Sequence, residues 1–250
     1  GHFTLCENFK KSRLDPGAMC EYFRVPAENV AFDTLLIPDN VSFASASLVE
    51  PIACTLCSVK VTPIKAGDTV IIIGMGFIGL SYLEMVRFMP AGKIIVLDLN
   101  DWRLEQGLKH GATHTINPGK EDAVEAVKKI TGGLLGDAVF VAVPSIKVWD
   151  QGISLCEKGA TINFGTPMAP DVVWPVNPNK LWFSEIKFTF TYSTTHVETA
   201  AVMDMMAAGR LDSESLITHK FGMHEVPDAI KLYKEAGQSI KQLIVPSLTK

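Results

Sequence analysis

From Asp68 onward the chain alternates short β-branched runs with amphipathic stretches, and this alternation constrains the fold more than any other feature. The apolar runs occupy residues 70–73, 93–98, 114–116, 138–143, 161–164 and 186–191. Segments of helical period lie between them at 78–88, 102–110, 121–130 and 147–156. Runs that are apolar throughout, not at every second residue, suit strands covered on both faces. Strand and helix in alternation build βαβ units on a parallel sheet. The expectation is an α/β fold with a doubly wound parallel sheet of six strands. Residues 1–50 lack this rhythm: their apolar strings, 19–25 and 34–37, are broken by Pro26, Pro38 and Asn40 and read as short strands and turns. Two helices at 197–208 and 226–236 and a terminal strand at 240–245 also fall outside the sheet rhythm and are expected to join the N-terminal part. The division expected is 1–50, 51–195 and 196–250.

One motif sits at a telling place in this pattern. Gly74-Met75-Gly76-Phe77-Ile78-Gly79 reads G-x-G-x-x-G directly after the first strand and opens the following helix. Alone the pattern is weak; between a strand and a helix it is a dinucleotide-binding signature. Gly74 permits the tight turn, Gly76 lets a pyrophosphate approach the backbone, and Gly79 allows close helix–strand packing. The N–H groups of the new helix then hold the anion. The next strand ends in Asp98, whose carboxylate can accept from both ribose hydroxyls. It would repel a 2′-phosphate, and Leu99-Asn100-Asp101 offers no compensating cation, so NAD is expected over NADP. Asp98 can also be read as a helix cap, and Arg103 either as a group along the ribose or adenine or as a solvated helix charge. Ligands of such sheets bind at the carboxyl ends of the strands. Val143, Phe164, Gly165, Thr166 and Ser193 stand at later strand ends and are expected to offer mainly backbone groups to the nicotinamide side. Lys241 reads as a phosphate contact or as a surface lysine.

Composition removes other classes. A net charge of −4 and a pI near 5.9 leave no basic face for nucleic acid. Mean hydropathy is only +0.20, and every apolar run is shorter than the roughly 18 residues of a membrane span. Five cysteines make no disulfide framework, and no secretory leader is visible, so a reducing cytoplasmic setting is expected. Cys54-x2-Cys57 resembles half a zinc site, but no second pair follows, and in a helix such thiols read more simply as small buried apolar groups. Cys6, Cys20, Cys156, His196, His219 and His224 show no ligand spacing. Leu48-Val49-Glu50-Pro51 precedes a helix: Pro51 suits its first position and Glu50 its cap. Glu50 can alternatively be a metal ligand, direct or indirect, at the mouth of the cofactor crevice. The segment 171–176 reads as an edge strand marked by Pro175 or as a contact between subunits.

These residues together resemble the zinc-dependent medium-chain dehydrogenases, the alcohol, sorbitol and threonine dehydrogenase family. The glycine motif with Asp98 and Arg103 carries the resemblance, as does Glu50-Pro51 at its distance upstream. So do Glu21-Tyr22-Phe23-Arg24-Val25-Pro26-Ala27, Gly67-Asp68-Thr69-Val70, Gly111-Ala112-Thr113-His114 and Leu216-Ile217-Thr218-His219-Lys220-Phe221, in the family's order. The polyol and threonine branch is nearest, because Glu50 stands where classical alcohol dehydrogenases have a zinc-ligand cysteine. Gly17-Ala18-Met19-Cys20 departs from the family's usual Gly-Gly-Phe-Ala.

The resemblance implies a Rossmann domain beside part of a GroES-like β catalytic domain. It implies NAD held by Gly74, Gly76, Phe77, Ile78 and Gly79, with Asp98 and Arg103 on the ribose. Glu50 would be a catalytic-zinc ligand or would hold the zinc-bound water or substrate. Cys6 would be the fourth ligand of a structural zinc, its three partner cysteines lying upstream of Gly1 with the catalytic cysteine and a Gly-His-Glu motif. The chain is therefore expected to be an N-terminally truncated zinc-assisted dehydrogenase of secondary alcohols or polyols, a homodimer or homotetramer. The rival expectations are a zinc-free NADPH-dependent quinone or enoyl reductase and an inactive NAD-binding fragment.

Overall fold

The computed structural model describes residues 3–8, 11–235 and 237–247. In chain order its elements are α1 (Ala27–Phe32), α2 (Phe43–Ala46), α3 (Val49–Lys60), β1 (Thr69–Ile73), α4 (Phe77–Val86), β2 (Lys93–Leu97), α5 (Asp101–Lys109), β3 (His114–Ile116), α6 (Ala123–Thr131) and β4 (Gly136–Val141). Then follow α7 (Ile146–Ser154), β5 (Cys156–Phe164), α8 (Pro178–Ser184), β6 (Lys187–Phe190), α9 (His196–Ala207), β7 (Ile217–Phe221), α10 (Val226–Glu235) and β8 (Lys241–Ile244). The chain forms two compact units, one of residues 54–192 and one of residues 1–53 with 193–250.

The unit of residues 54–192 holds a six-stranded sheet in the order β3-β2-β1-β4-β5-β6, parallel throughout. This order reverses direction at β1, and such a reversal opens a crevice at the carboxyl ends of the strands. Every residue of β1 is buried, as expected of a central strand covered by helices on both sides. On one face Ile71, Ile73, Ile95, Leu97, Val139, Val141, Ile162 and Phe164 pack against Val127 of α6 and Trp149 and Ile153 of α7. On α4 a carboxylate is buried: Glu84 accepts from the exposed Arg87 at 3.0 Å and lies 2.8 Å from Nδ1 of the buried His110.

Burial also shifts two weak acids of this unit. The Tyr82 hydroxyl, 1% exposed, is pushed up to about 12 chiefly by desolvation, against a shift in the opposite direction from its bond to Ser58. The Cys156 thiol is likewise pushed up to about 12 by desolvation. Unfolded, these groups ionise near 10.0 and 9.0, so above pH 9.0 the unfolded chain releases protons that the folded one keeps. Stability is therefore expected to fall as pH rises toward about 12, by up to about 1.4 kcal/mol per pH unit for each group once it ionises in the unfolded chain. Urea midpoints at pH 8 and pH 11 measure this; equal midpoints would contradict it.

The other unit carries little sheet: β7 and β8 pair in parallel, and Asp15 bridges Arg24. The strings 19–25 and 34–37 form no strand, contrary to expectation, because among the described residues they meet no partner strand to complete a ladder. Two short helices, α1 and α2, stand in this region instead. Other differences are local. The helix expected at 147–156 ends at Ser154, and Cys156 opens β5, where it pairs with Gly136. The segment 171–176 is coil and not an edge strand; Val173 is 81% exposed, and Trp174 instead packs 5.2 Å from Phe164 between ring centroids. Helix α10 is described to Glu235; Ala236, included in the expected helix, lies outside the described residues, as do Gly1 and His2.

Candidate functional site

The turn after β1 is built by two glycines. Gly74 donates its N–H to Leu97 O at 2.7 Å and turns the chain at φ +94°, a conformation that a side chain would strain. A Cβ on Gly79 would lie 1.6 Å from Gly74 O, so α4 can start this close to the strand only with glycine there. Gly76 caps α4 without a side-chain hydrogen bond. A Cβ on it would meet only Arg103 Nη1, at 3.8 Å, leaving open space in front of the helix's first turn, which carries Phe77 and Ile78. A helix start of this kind offers backbone N–H groups and a positive dipole end to an anion.

Asp98 follows β2 directly and turns onto this loop. Its Oδ2 accepts from Met75 N–H at 2.7 Å, and its Oδ1 accepts from Asn100 N–H at 2.8 Å. Each carboxylate oxygen keeps acceptor capacity for a further donor. The cap of α5 is Asn100, which accepts from Trp102 and Arg103 N–H; the helix-cap reading of Asp98 is thereby corrected. Arg103 is half-buried against Gly76.

The later strand ends differ in what they can offer. Val143 Cγ2 lies 2.5 Å from where a Gly74 Cβ would stand, so Val143 packs against the turn. Phe164 is 3% exposed and its ring lies 4.4 Å from that of Trp149, so only its backbone can meet a ligand. Gly165 donates its N–H to Val141 O at 3.0 Å. Thr166 Oγ1 is buried and has no hydrogen-bond partner among the described residues. Such an orphan is costly unless something completes it. The uncapped helix start, the open face of Gly76, the Asp98 carboxylate and this hydroxyl together fit a dinucleotide cofactor.

Sequence reasoning missed a polar cluster beneath these strand ends. Tyr82 Oη bonds Ser58 Oγ (3.0 Å) and Asn163 Oδ1 (3.3 Å). A signal was present: Thr55 and Ser58 on α3 and Thr62 just past its end form a polar stripe of helical spacing, and all three are buried.

The remaining expected residues belong to the other unit. Glu50 is exposed and lies inside the first turn of α3, one residue past its start at Val49, not at the cap. Lys241 is half-buried, not a plain surface lysine; desolvation lowers its pKa, and the charge of Glu50 opposes that shift. Ser193 adopts φ +61°, uncommon for a residue other than glycine. Cys6 is exposed. Among the described residues no three His, Cys, Asp or Glu side chains are placed to hold a metal ion.

The pattern of the zinc-binding dehydrogenase family matches residues 78–208. The chain is 27% identical over 253 residues to the sorbitol dehydrogenase of Bacillus subtilis, covering 99% of itself and 69% of that protein. It is 27% identical over 255 residues to the erythritol/L-threitol dehydrogenase of Mycolicibacterium smegmatis, covering 99% of itself and 68% of that protein. Among solved structures, alcohol dehydrogenase TADH from Thermus sp. ATN1 superposes with a TM-score of 0.82 at 26% identity, over 92% of this chain and 66% of that one. The chain thus spans about two thirds of the length of these proteins. The family match covers more than half of it, and on that match the chain belongs to the zinc-binding dehydrogenase family.

Proposed function

We propose that the chain is the NAD-binding portion of an alcohol or polyol dehydrogenase, passing hydride between a secondary alcohol carbon and the nicotinamide. The observation that carries this reading is the Asp98 carboxylate turned onto the Met75 N–H of the glycine turn. The first turn of α4 would bind the pyrophosphate through Gly76, Phe77, Ile78 and Gly79. Asp98 would accept from the adenosine ribose, and Arg103 would flank it. Val143, Phe164 and Gly165 would offer backbone groups to the nicotinamide side, and the Thr166 hydroxyl would orient the ring. The nicotinamide, once bound, supplies the hydride acceptor or donor; the residues named bind it, orient it and keep water from one side.

NAD is favoured over NADP because a 2′-phosphate would meet the Asp98 carboxylate. Lys120, the cation that follows β3, is engaged by Asp101 at 2.5 Å. That bond, with a second from Asn117, lowers the Asp101 pKa. The described residues do not fit a zinc centre: of the expected ligands they hold Glu50 and Cys6 but no cluster of three, so no step here runs through zinc. A soluble cytoplasmic homodimer or homotetramer is the assembly we infer. It is supported by the edge position of β6 and by Trp182, Phe183 and Phe190, each more than 60% exposed.

Calorimetric titration of the chain with NAD+ and with NADP+ tests the proposal. Saturable binding of NAD+, at least about tenfold tighter than NADP+, is expected, a gap of about 1.4 kcal/mol. Tighter NADP+ binding would move the assignment to the zinc-free reductases, and binding of neither would overturn it.

A further inference from the structure

The Tyr82 cluster has a shape that core packing alone does not require. An apolar side chain would fill this interior without needing partners, and burying a phenol is favourable only if its hydroxyl is bonded. Here the hydroxyl stands between Ser58 Oγ on α3 and Asn163 Oδ1 on β5. Ser58 Oγ lies 2.6 Å from Thr191 Oγ1, one residue past β6. Asn163 Nδ2 donates to Thr189 Oγ1 at 3.0 Å within β6, and Thr189 Oγ1 donates to Ile162 O at 3.2 Å. One continuous chain of hydrogen bonds thus joins α3, α4 and the carboxyl ends of β5 and β6.

Two further observations give this chain a direction. A Cβ on Gly165 would lie 1.8 Å from Tyr82 Oη, so the phenol presses against the backbone of the residue after β5. The next residue is Thr166, whose buried hydroxyl has no partner among the described residues. Tyr82 also rides on α4, the helix whose first turn faces the open space in front of Gly76. It is therefore a strut between the two halves of the crevice, rooted on the phosphate-binding helix and ending under the strand end that carries the orphaned hydroxyl.

We propose that Tyr82 is a positioning residue for the nicotinamide half of the bound cofactor, setting the height of Gly165 and Thr166 above the glycine turn. This rests on the cofactor reading given above. Removing the hydroxyl leaves Asn163 Oδ1 and Ser58 Oγ short of a bond and frees the strand end to shift. A group that orients a ligand loses its effect steeply with small displacements. The adenosine and pyrophosphate contacts, held by Asp98 and the first turn of α4, lie outside this chain of bonds.

The test compares NAD+ with ADP-ribose, which carries the same adenosine and phosphates but no nicotinamide, by calorimetry on the whole chain. For Tyr82→Phe, NAD+ affinity is expected to fall about tenfold and ADP-ribose affinity less than about twofold. A merely structural role would lower both affinities by one factor, or lower only the melting temperature; either result overturns the proposal, as does no change in affinity. Should Tyr82→Phe fail to fold, Thr191→Val removes the far end of the same chain. It is expected to shift the ratio of the two affinities in the same direction by about threefold, and an unchanged ratio overturns the proposal. Wild-type protein that binds neither probe would overturn the cofactor reading itself; wild-type protein that binds both, with unaltered ratios in the variants, would overturn only the role of Tyr82.

Discussion

Gly79→Val is expected to unfold the sheet-bearing unit, while Gly76→Ala, three residues earlier in the same motif, is expected to leave it folded and abolish cofactor binding. At position 79 a Cβ would stand 1.6 Å from the carbonyl oxygen of Gly74 and 2.8 Å from its carbon. Neither is the end of a flexible side chain, so α4 itself has to move off β1. That movement exposes Leu80 and Leu83, both completely buried. Overpacking commonly costs about 1–3 kcal/mol, and a clash with backbone lies at or beyond the top of that range. Such a loss is a large share of the roughly 5–15 kcal/mol that holds a typical domain together. Position 76 is different. Its φ of −73° suits any residue, and an added Cβ meets only Arg103 Nη1 at 3.8 Å. The methyl group would instead occupy the space through which a pyrophosphate reaches the N–H groups of α4. Thermal melts and NAD+ titrations of both variants check this. A folded Gly79→Val, or a Gly76→Ala that binds NAD+ as wild type does, would contradict it.

The sheet and its turn were legible because their signals are local. The central strands β1 and β2 are short runs of buried, mostly β-branched residues, and Gly74 and Gly79 answer steric demands between chain neighbours. Strand ends were less legible. β5 begins at Cys156, inside the expected helix, because pairing with Gly136 decides where the strand starts, and pairing is a long-range event. The cap of α8, Asn177 accepting from Asn179 and Lys180 with Pro178 following, is a local signal that sequence reading passed over. The N-terminal strings were misread for the opposite reason. Their composition suits strands, yet a strand forms only where a partner offers hydrogen bonds. Within the candidate site, the place of Asp98 directly after β2 was readable in the sequence, whereas its hold on Met75 N–H was not. Tyr82, Asn163 and Thr191 are far apart in sequence, and only the fold gathers them. Glu50 sits two residues deeper in its helix than its Glu-Pro pair suggests, since proline is accepted anywhere in a first turn, where its missing N–H has no partner to lose.

Asp98→Ser is expected to reverse the order of the two cofactors. In the wild type both carboxylate oxygens already accept backbone N–H groups, from Met75 at 2.7 Å and Asn100 at 2.8 Å, which fixes the carboxylate where ribose hydroxyls would reach it. Hydrogen bonds to a charged acceptor contribute about 1.5–3 kcal/mol, so their loss should weaken NAD+ binding by about 10- to 100-fold. The same substitution removes the negative charge that opposes a 2′-phosphate and leaves a small hydroxyl that can donate to it, so NADP+ affinity should rise. The opposite signs are the diagnostic feature. Asp98 also braces the glycine turn, and loss of that brace alone would weaken both cofactors together, because both place a pyrophosphate on α4. Parallel titrations of wild type and variant separate the two effects. A rise for NADP+ against a fall for NAD+ assigns Asp98 to ribose recognition, and an equal fall for both assigns it to the loop.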